Sequence, residues 1–266
     1  MNRIDELFLR KQKSVLSVYF TAGYPELTDT GLILSGLEKA GADLIEIGFP
    51  FSDPVADGLV IQASSHLALQ NGMNLDILFD QLLEIKETSV IPKILMGYFN
   101  TVFQFGIVRF ITKCLECGID GVIMPDLPPE VYQKEYRAAF ESSGIHFICL
   151  IAPQTPPDRV EYISSISRGF IYRLSSSSTT GSDVRKGINE LTKVIPANET
   201  HSLPSLIGFG IQDHQTFEMA CRQANGAIIG TAFIRYLNEN LNIHAADQRV
   251  KQINSLCERF VNQIRG

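Results

Sequence analysis

Three carboxylates fall within residues 45–58, IEIGFPFSDPVADG: Glu46, Asp53 and Asp57. Glu46 interrupts an apolar run, Leu44-Ile45-Glu46-Ile47-Gly48-Phe49, that otherwise reads as a buried strand. Apolar walls around a carboxyl penalise its charged form, raising the pKa by up to about 3–5 units when burial is complete. A carboxyl tuned upward in this way serves as general acid and base near neutral pH. The bland alternative, a glutamate paired with a buried Lys or Arg, has no basic neighbour in the local chain to support it. Asp57 follows in a loop stiffened by Pro50 and Pro54 and ended by Gly58. It is either a second carboxylate for a proton relay or a developing cation, or merely the cap of the next helix. Asp53, in Ser52-Asp53-Pro54, reads as ordinary turn chemistry.

Two glycine-bearing stretches add a second kind of chemistry. LIGFGIQD offers Gly208 and Gly210, and AIIGTAF offers Gly230 and Thr231 at the entry to a helix. In barrel enzymes the loops after strands seven and eight, with a helix N-terminus, hold phosphate through backbone N–H groups. Plain turn glycine is the alternative. Metal chemistry has no comparable support. Cys114 and Cys117 form a C-x-x-C, but no second pair accompanies it and it falls in an expected helix from Phe110 to Cys117, so it reads as structural. The five histidines show no ligand spacing.

The elements that must position these residues share one local pattern. A helix ends in a small residue and glycine, then an apolar strand begins, as in KAGADLIEIG, CGIDGVIMPD, SGIHFICLIAP and NGAIIGTAF. Glycine suits the left-handed position past a helix end. Apolar runs without alternation suit parallel strands covered on both faces. Eight strands follow: Leu16–Phe20, Asp43–Ile47, Lys93–Gly97, Gly121–Met124, Phe147–Ile151, Gly169–Arg173, Ser205–Gly208 and Gly226–Ile229. Helical spacing fills most gaps, as with Ile33, Leu37 and Ala40 after the first strand. Eight strands alternating with helices predict a single α/β domain over 1–266, a (β/α)₈ TIM barrel. A doubly wound open sheet is the alternative, but no G-x-G-x-x-G follows the first strand. Ile4, Leu7 and Phe8 share a face and predict an extra short N-terminal helix.

Composition sets the outer limits. The 266 residues are 45% hydrophobic and 20% charged, with a net charge of −6 and no basic block, which argues against nucleic acid. No apolar run approaches membrane-spanning length and the N-terminus lacks a signal peptide's apolar core, so a soluble, cytoplasmic protein is expected.

Taken together, EIGFPFSDPVADG, YFTAGYP at 19–25, MPDLPPE at 124–130, GFGI at 208–211 and GTAF at 230–233 resemble the tryptophan synthase alpha chain family across essentially the whole chain. The resemblance implies a lyase that splits indole-3-glycerol phosphate into indole and glyceraldehyde 3-phosphate. It implies that Glu46 protonates indole C3 and that Asp57 stabilises positive charge developing at the indole N1–H. It assigns phosphate to Gly181, Gly210, Gly230 and Thr231. It assigns the substrate pocket to Tyr19, Ile61, Met96, Ile123, Leu150, Tyr172, Thr180 and Phe209. Asp53 and Pro54, with DLPPE, match loops that face a beta chain, giving an α₂β₂ heterotetramer. Pyridoxal phosphate belongs to that partner, so no cofactor is expected in this chain.

The match departs from the family at one place. The family's Ser-Arg-x-Gly-Val-Thr-Gly after the sixth strand is replaced by Ser175-Ser176-Ser177-Ser178-Thr179-Thr180-Gly181. The departure motivates a rival reading, a catalytically weakened chain that acts mainly as an allosteric activator of its partner. Its serine-rich composition predicts that residues 176–186 are mobile or open without ligand and that the isolated chain is a slow lyase depending heavily on its partner. A sugar-phosphate aldolase or isomerase is the other rival, but Lys93 opens its strand at the N-terminal end, wrong for a Schiff-base lysine.

Overall fold

A computed structural model describes residues 1–175, 203–241 and 246–266. Nine parallel strands form one sheet. They are β1 (Val15–Thr21), β2 (Leu44–Gly48), β3 (Lys93–Met96), β4 (Gly121–Ile123), β5 (His146–Phe147), β6 (Leu150–Ile151), β7 (Ile171–Leu174), β8 (Ser205–Gly208) and β9 (Gly226–Ile229). Their order is β5-β4-β3-β2-β1-β9-β8-β7-β6. The two edges of the sheet, β5 and β6, are consecutive in the chain. The expected fifth strand, Phe147–Ile151, is therefore divided at Ile148-Cys149. That junction still pairs both ways: the Ile148 amide donates to the Val122 carbonyl at 3.0 Å, and the Cys149 carbonyl accepts from the Tyr172 amide at 3.0 Å. The ring closes through it, and the architecture is the expected (β/α)₈ barrel.

The strands are buried on both faces, which explains their unbroken apolar sequences: every residue of β1 and β2 is buried. Strand register sorts the inner face. Tyr19 pairs with Glu46 and Glu46 with Ile94, Gly48 pairs with Met96 and Met96 with Ile123, Leu150 pairs with Tyr172, and Ser17 pairs with Ile228. Partners across a parallel ladder point to the same side. One side of the sheet thus carries Ser17, Tyr19, Glu46, Met96, Ile123, Leu150, Tyr172 and Ile228.

The short N-terminal helix Arg3–Arg10 is present, with Asn2 as its side-chain cap. It closes the N-terminal end of the barrel. Ile4 is fully buried, and a β-carbon at Gly121 would stand 3.0 Å from its Cδ1. Asn2 donates to the Asp120 carbonyl at 2.8 Å, and Arg3 pairs with the Asp120 carboxylate. The helix expected from Phe110 begins earlier, as Ile107–Glu116, because Gly106 (φ +95°) separates it from Phe99–Phe105. On the far side the helix Ala246–Arg265 packs along Asp29–Lys39, and Arg249 there pairs with the fully buried Asp29. With one end plugged, the opposite, C-terminal mouth is left to build a site.

Candidate active site

Glu46 stands in the third of five positions of β2 with no exposed surface. The Ser17 hydroxyl donates to its Oε1 at 2.8 Å, while Oε2 has no hydrogen-bond partner. Burial pushes its pKa up from 4.5 to about 8, against the smaller downward pull of the Ser17 bond. At neutral pH Glu46 is therefore mostly a carboxylic acid with one oxygen unclaimed by protein. A buried polar atom without a partner is costly and rare, and here it belongs to the group that sequence alone marks as an acid–base candidate.

Asp57 is half-buried in the loop between β2 and the helix Leu59–Gln70. The loop is tied by its own backbone: the Val55 amide donates to Asp53 O at 2.8 Å and the Asp57 amide to Pro54 O at 3.0 Å. The capping alternative does not hold, because the cap of that helix is Gly58 and no side chain bonds there. Instead Asp57 Oδ2 accepts from the Tyr98 hydroxyl at 3.2 Å. Burial raises its pKa from 3.8 to about 6, and the Tyr98 bond opposes that rise. At neutral pH Asp57 is mostly an anion. Environment has separated the two carboxyl groups into an acid and a base form, the signature of divided acid–base roles.

The two tyrosines beside them stay neutral. Burial is the largest cause of the raised pKa of both Tyr19 and Tyr172, and the charges of Asp57 and Glu46 add to it in each. Space for these rings is made by glycine at strand ends. A β-carbon at Gly48 would lie 2.1 Å from the Tyr19 hydroxyl oxygen, and one at Gly208 would lie 2.2 Å from that of Tyr172.

A cavity of about 370 Å³ opens at this mouth. Of the residues expected in the pocket, Tyr19, Ile61, Met96, Tyr172 and Phe209 line it, together with Asp57. Gly210, Gly230 and Thr231 form part of the same wall. Phe209 and Gly210 both have left-handed backbones (φ +69° and +77°), and Phe209 meets Tyr172 edge-on at 6.3 Å. The helix Thr231–Asn240 starts at Gly230 with no side-chain cap and no acidic residue in its first turn. Three expected residues are not in the cavity lining: Glu46, which is fully buried in β2, Ile123 and Leu150. Ile123 and Leu150 share the inner face by register, but Ile123 packs in the core beside Met96 and Leu150 is half-buried beside Tyr172. Thr180 and Gly181 lie outside the described residues, as does the segment 176–186 expected to act as a lid.

Sequence reasoning missed four participants: Ser17, Tyr98, Gln212 and Arg235. Arg235 is the one cation lining the cavity among the described residues. It sits one helical turn beyond Thr231, and helical side chains lean back toward the N-terminus, so the i, i+4 spacing in GTAFIR was a usable signal. Tyr98 stands two residues past the end of β3, the region where barrels place functional groups. Ser17 had no signal beyond its strand, since only register sets it against Glu46. No group of three or more metal-ligating side chains occurs among the described residues, and no helix there is long and apolar enough to cross a membrane.

Fold and site together define a (β/α)₈ barrel with a cavity at its C-terminal mouth. The family model described as tryptophan synthase alpha chain matches residues 7–265. The tryptophan synthase alpha chain of Flavobacterium johnsoniae is 52% identical over 241 residues, spanning 90% of this chain and 95% of that one. That of Christiangramia forsetii is 48% identical over 256 residues, covering 95% and 100%. Among solved structures, tryptophan synthase subunit alpha from Legionella pneumophila superposes with a TM-score of 0.83 at 30% identity, covering 99% of this chain and 98% of that one. The chain belongs to the tryptophan synthase alpha chain family, a family of lyases in tryptophan biosynthesis.

Proposed function

We propose that the chain cleaves indole-3-glycerol phosphate to indole and glyceraldehyde 3-phosphate. One observation carries the reading: a fully buried, mostly protonated glutamic acid with a free oxygen and an ionised, half-buried aspartate of the cavity lining act on the same two tyrosines, Tyr19 and Tyr172. Protonated Glu46 gives its proton to indole C3. The ring then becomes cationic at N1–H, which faces the Asp57 carboxylate. The bond from C3 to the glycerol side chain breaks as the adjacent hydroxyl gives its proton to the Glu46 carboxylate and becomes the aldehyde. Glu46 ends as it began, and no cofactor of this chain is needed.

The phosphate is received by the Gly210 and Gly230–Thr231 backbone, with the Arg235 guanidinium supplying opposite charge. A cation matters here because the other charged side chain lining the cavity among the described residues, Asp57, repels a phosphate. The expected partner is a beta chain carrying pyridoxal phosphate, in an α₂β₂ assembly in the cytoplasm. The loop bearing Asp53 and Pro54 supports this surface, since Val55 on it and Leu59 at the start of the helix that follows are 86% and 70% exposed. Assay of indole release from indole-3-glycerol phosphate, with and without a beta chain, tests the reading. Indole release that depends on both Glu46 and Asp57 is expected; a wild-type chain inactive in both settings overturns it.

A further inference from the structure

We infer that Tyr98 is a positioning residue for Asp57: its hydroxyl, oriented by the Ala56 amide, holds the Asp57 carboxylate in place as an anion at the cavity wall. The inference rests on the proposed lyase reading only in taking Asp57 as the anion that faces substrate. Tyr98 lies past β3, while Asp57 lies past β2, so the contact ties two neighbouring loops of the mouth together. The phenol ring is only 6% exposed and stacks on Phe51 with ring centroids 4.9 Å apart and planes at 24°. Phe51 belongs to the same loop as Asp57. The ring is thus held by that loop before its hydroxyl makes any bond.

The hydroxyl then has one role left. The Ala56 amide donates to it at 2.9 Å, occupying an acceptor lone pair. Its proton is directed to the remaining acceptor, Asp57 Oδ2, at 3.2 Å. Burial and the Asp57 charge both raise the phenol's pKa, so it stays a donor across the working range. A donor to the charged form of a carboxyl favours that form. It is the only side-chain hydrogen bond to the Asp57 carboxylate among the described residues. The other groups facing Asp57 cannot substitute for it. Tyr19 from β1 and Tyr172 from β7 are neutral phenols whose pKa values the Asp57 charge raises. Glu46 is mostly protonated at neutral pH. Asp126 acts on Tyr98 and accepts from the Phe99 amide. Arg235 lines the same cavity but is not among the causes of the Asp57 shift. Without the hydroxyl, burial is left to push Asp57 toward its neutral, useless form.

Tyr98→Phe tests this with the ring and its stacking retained. The Asp57 carboxyl carbon is followed by NMR on chain carrying ¹³C-labelled aspartate, its signal identified by its loss in Asp57→Asn. The expected midpoint is about 6 in the wild type. In the variant it moves up by about one pH unit, the low end of what a hydrogen bond to a charged group contributes. Indole release from indole-3-glycerol phosphate should fall about tenfold on the acid side of both midpoints and recover toward wild type near pH 9. An unshifted Asp57 midpoint, or a loss of rate equal at every pH, overturns the inference. Should the variant not fold, the wild-type Tyr98 ring carbon bearing oxygen must itself show an inflection at the Asp57 midpoint; a flat response overturns the inference equally. An inactive wild type with a shifted midpoint overturns the lyase reading and leaves the Tyr98 contact standing.

Discussion

Glu46→Gln is expected to destroy activity and stabilise the fold, and the stabilisation should depend on pH. The substitution preserves shape, and the new amide carbonyl still accepts from Ser17. What it removes is the titrating group. In the folded chain the Glu46 pKa is raised from 4.5 to about 8. The folded state therefore holds a proton that the unfolded state has released, and stability falls as pH rises through that window. Above the window, at about 1.36 kcal/mol per pKa unit, ionised Glu46 costs the folded chain roughly 4–5 kcal/mol. At pH 7 the cost is about 3 kcal/mol, and at pH 5 it is below about 1 kcal/mol. Full burial leaves no solvent screening to discount. Urea denaturation of both isolated chains at pH 5, 7 and 9 reads the difference, in which all other titrating groups cancel. The variant should gain progressively with pH. Its indole release should meanwhile fall by roughly 10²–10⁴, the worth of a positioned acid–base group. A stability difference independent of pH would show that Glu46 titrates normally, and the argument from desolvation would be wrong.

The wild-type pH–rate profile should be bell-shaped, falling below about pH 6 as Asp57 protonates and above about pH 8 as Glu46 ionises; a profile flat from 5 to 9 refutes the two assignments. Crystals soaked in sulfate should place the anion at Gly210 and Gly230–Thr231, and Arg235→Ala should raise KM for substrate several-fold more than it lowers kcat; an unchanged KM removes Arg235 from the phosphate end. Arg249→Met strands the buried Asp29 carboxylate and should cost about 3–5 kcal/mol in urea unfolding with little change in kcat. Restoring the family run by Ser176→Arg with Ser178→Gly should raise the rate with a beta chain present, and an unaltered rate refutes the argument from the serine-rich composition.

Much of the chemistry was legible in the chain because it is carried by residues that contradict their surroundings. A glutamate within Leu44–Phe49 is out of place in a strand, so burial and a raised pKa could be expected before any geometry was known. The barrel was equally legible: strands buried on both faces must be largely apolar, and glycines past helix ends mark where four of them begin. The family resemblance, not periodicity, groups Tyr19, Met96, Ile123, Leu150 and Tyr172, and strand register puts all five on one face. Which of them open onto the cavity could not be read: Ile123 and Leu150 are ladder partners of the lining residues Met96 and Tyr172, yet do not line it themselves. Whether Asp57 would cap a helix or face the site was also undecidable locally, since both use the same carboxylate on the same loop. Tyr98, forty-one residues away in the chain, decides it by offering a donor from the neighbouring loop. Ser17 and Arg235 follow the same rule. Their types are unremarked in sequence, and only parallel register and helix placement bring them to a carboxyl or a cavity wall.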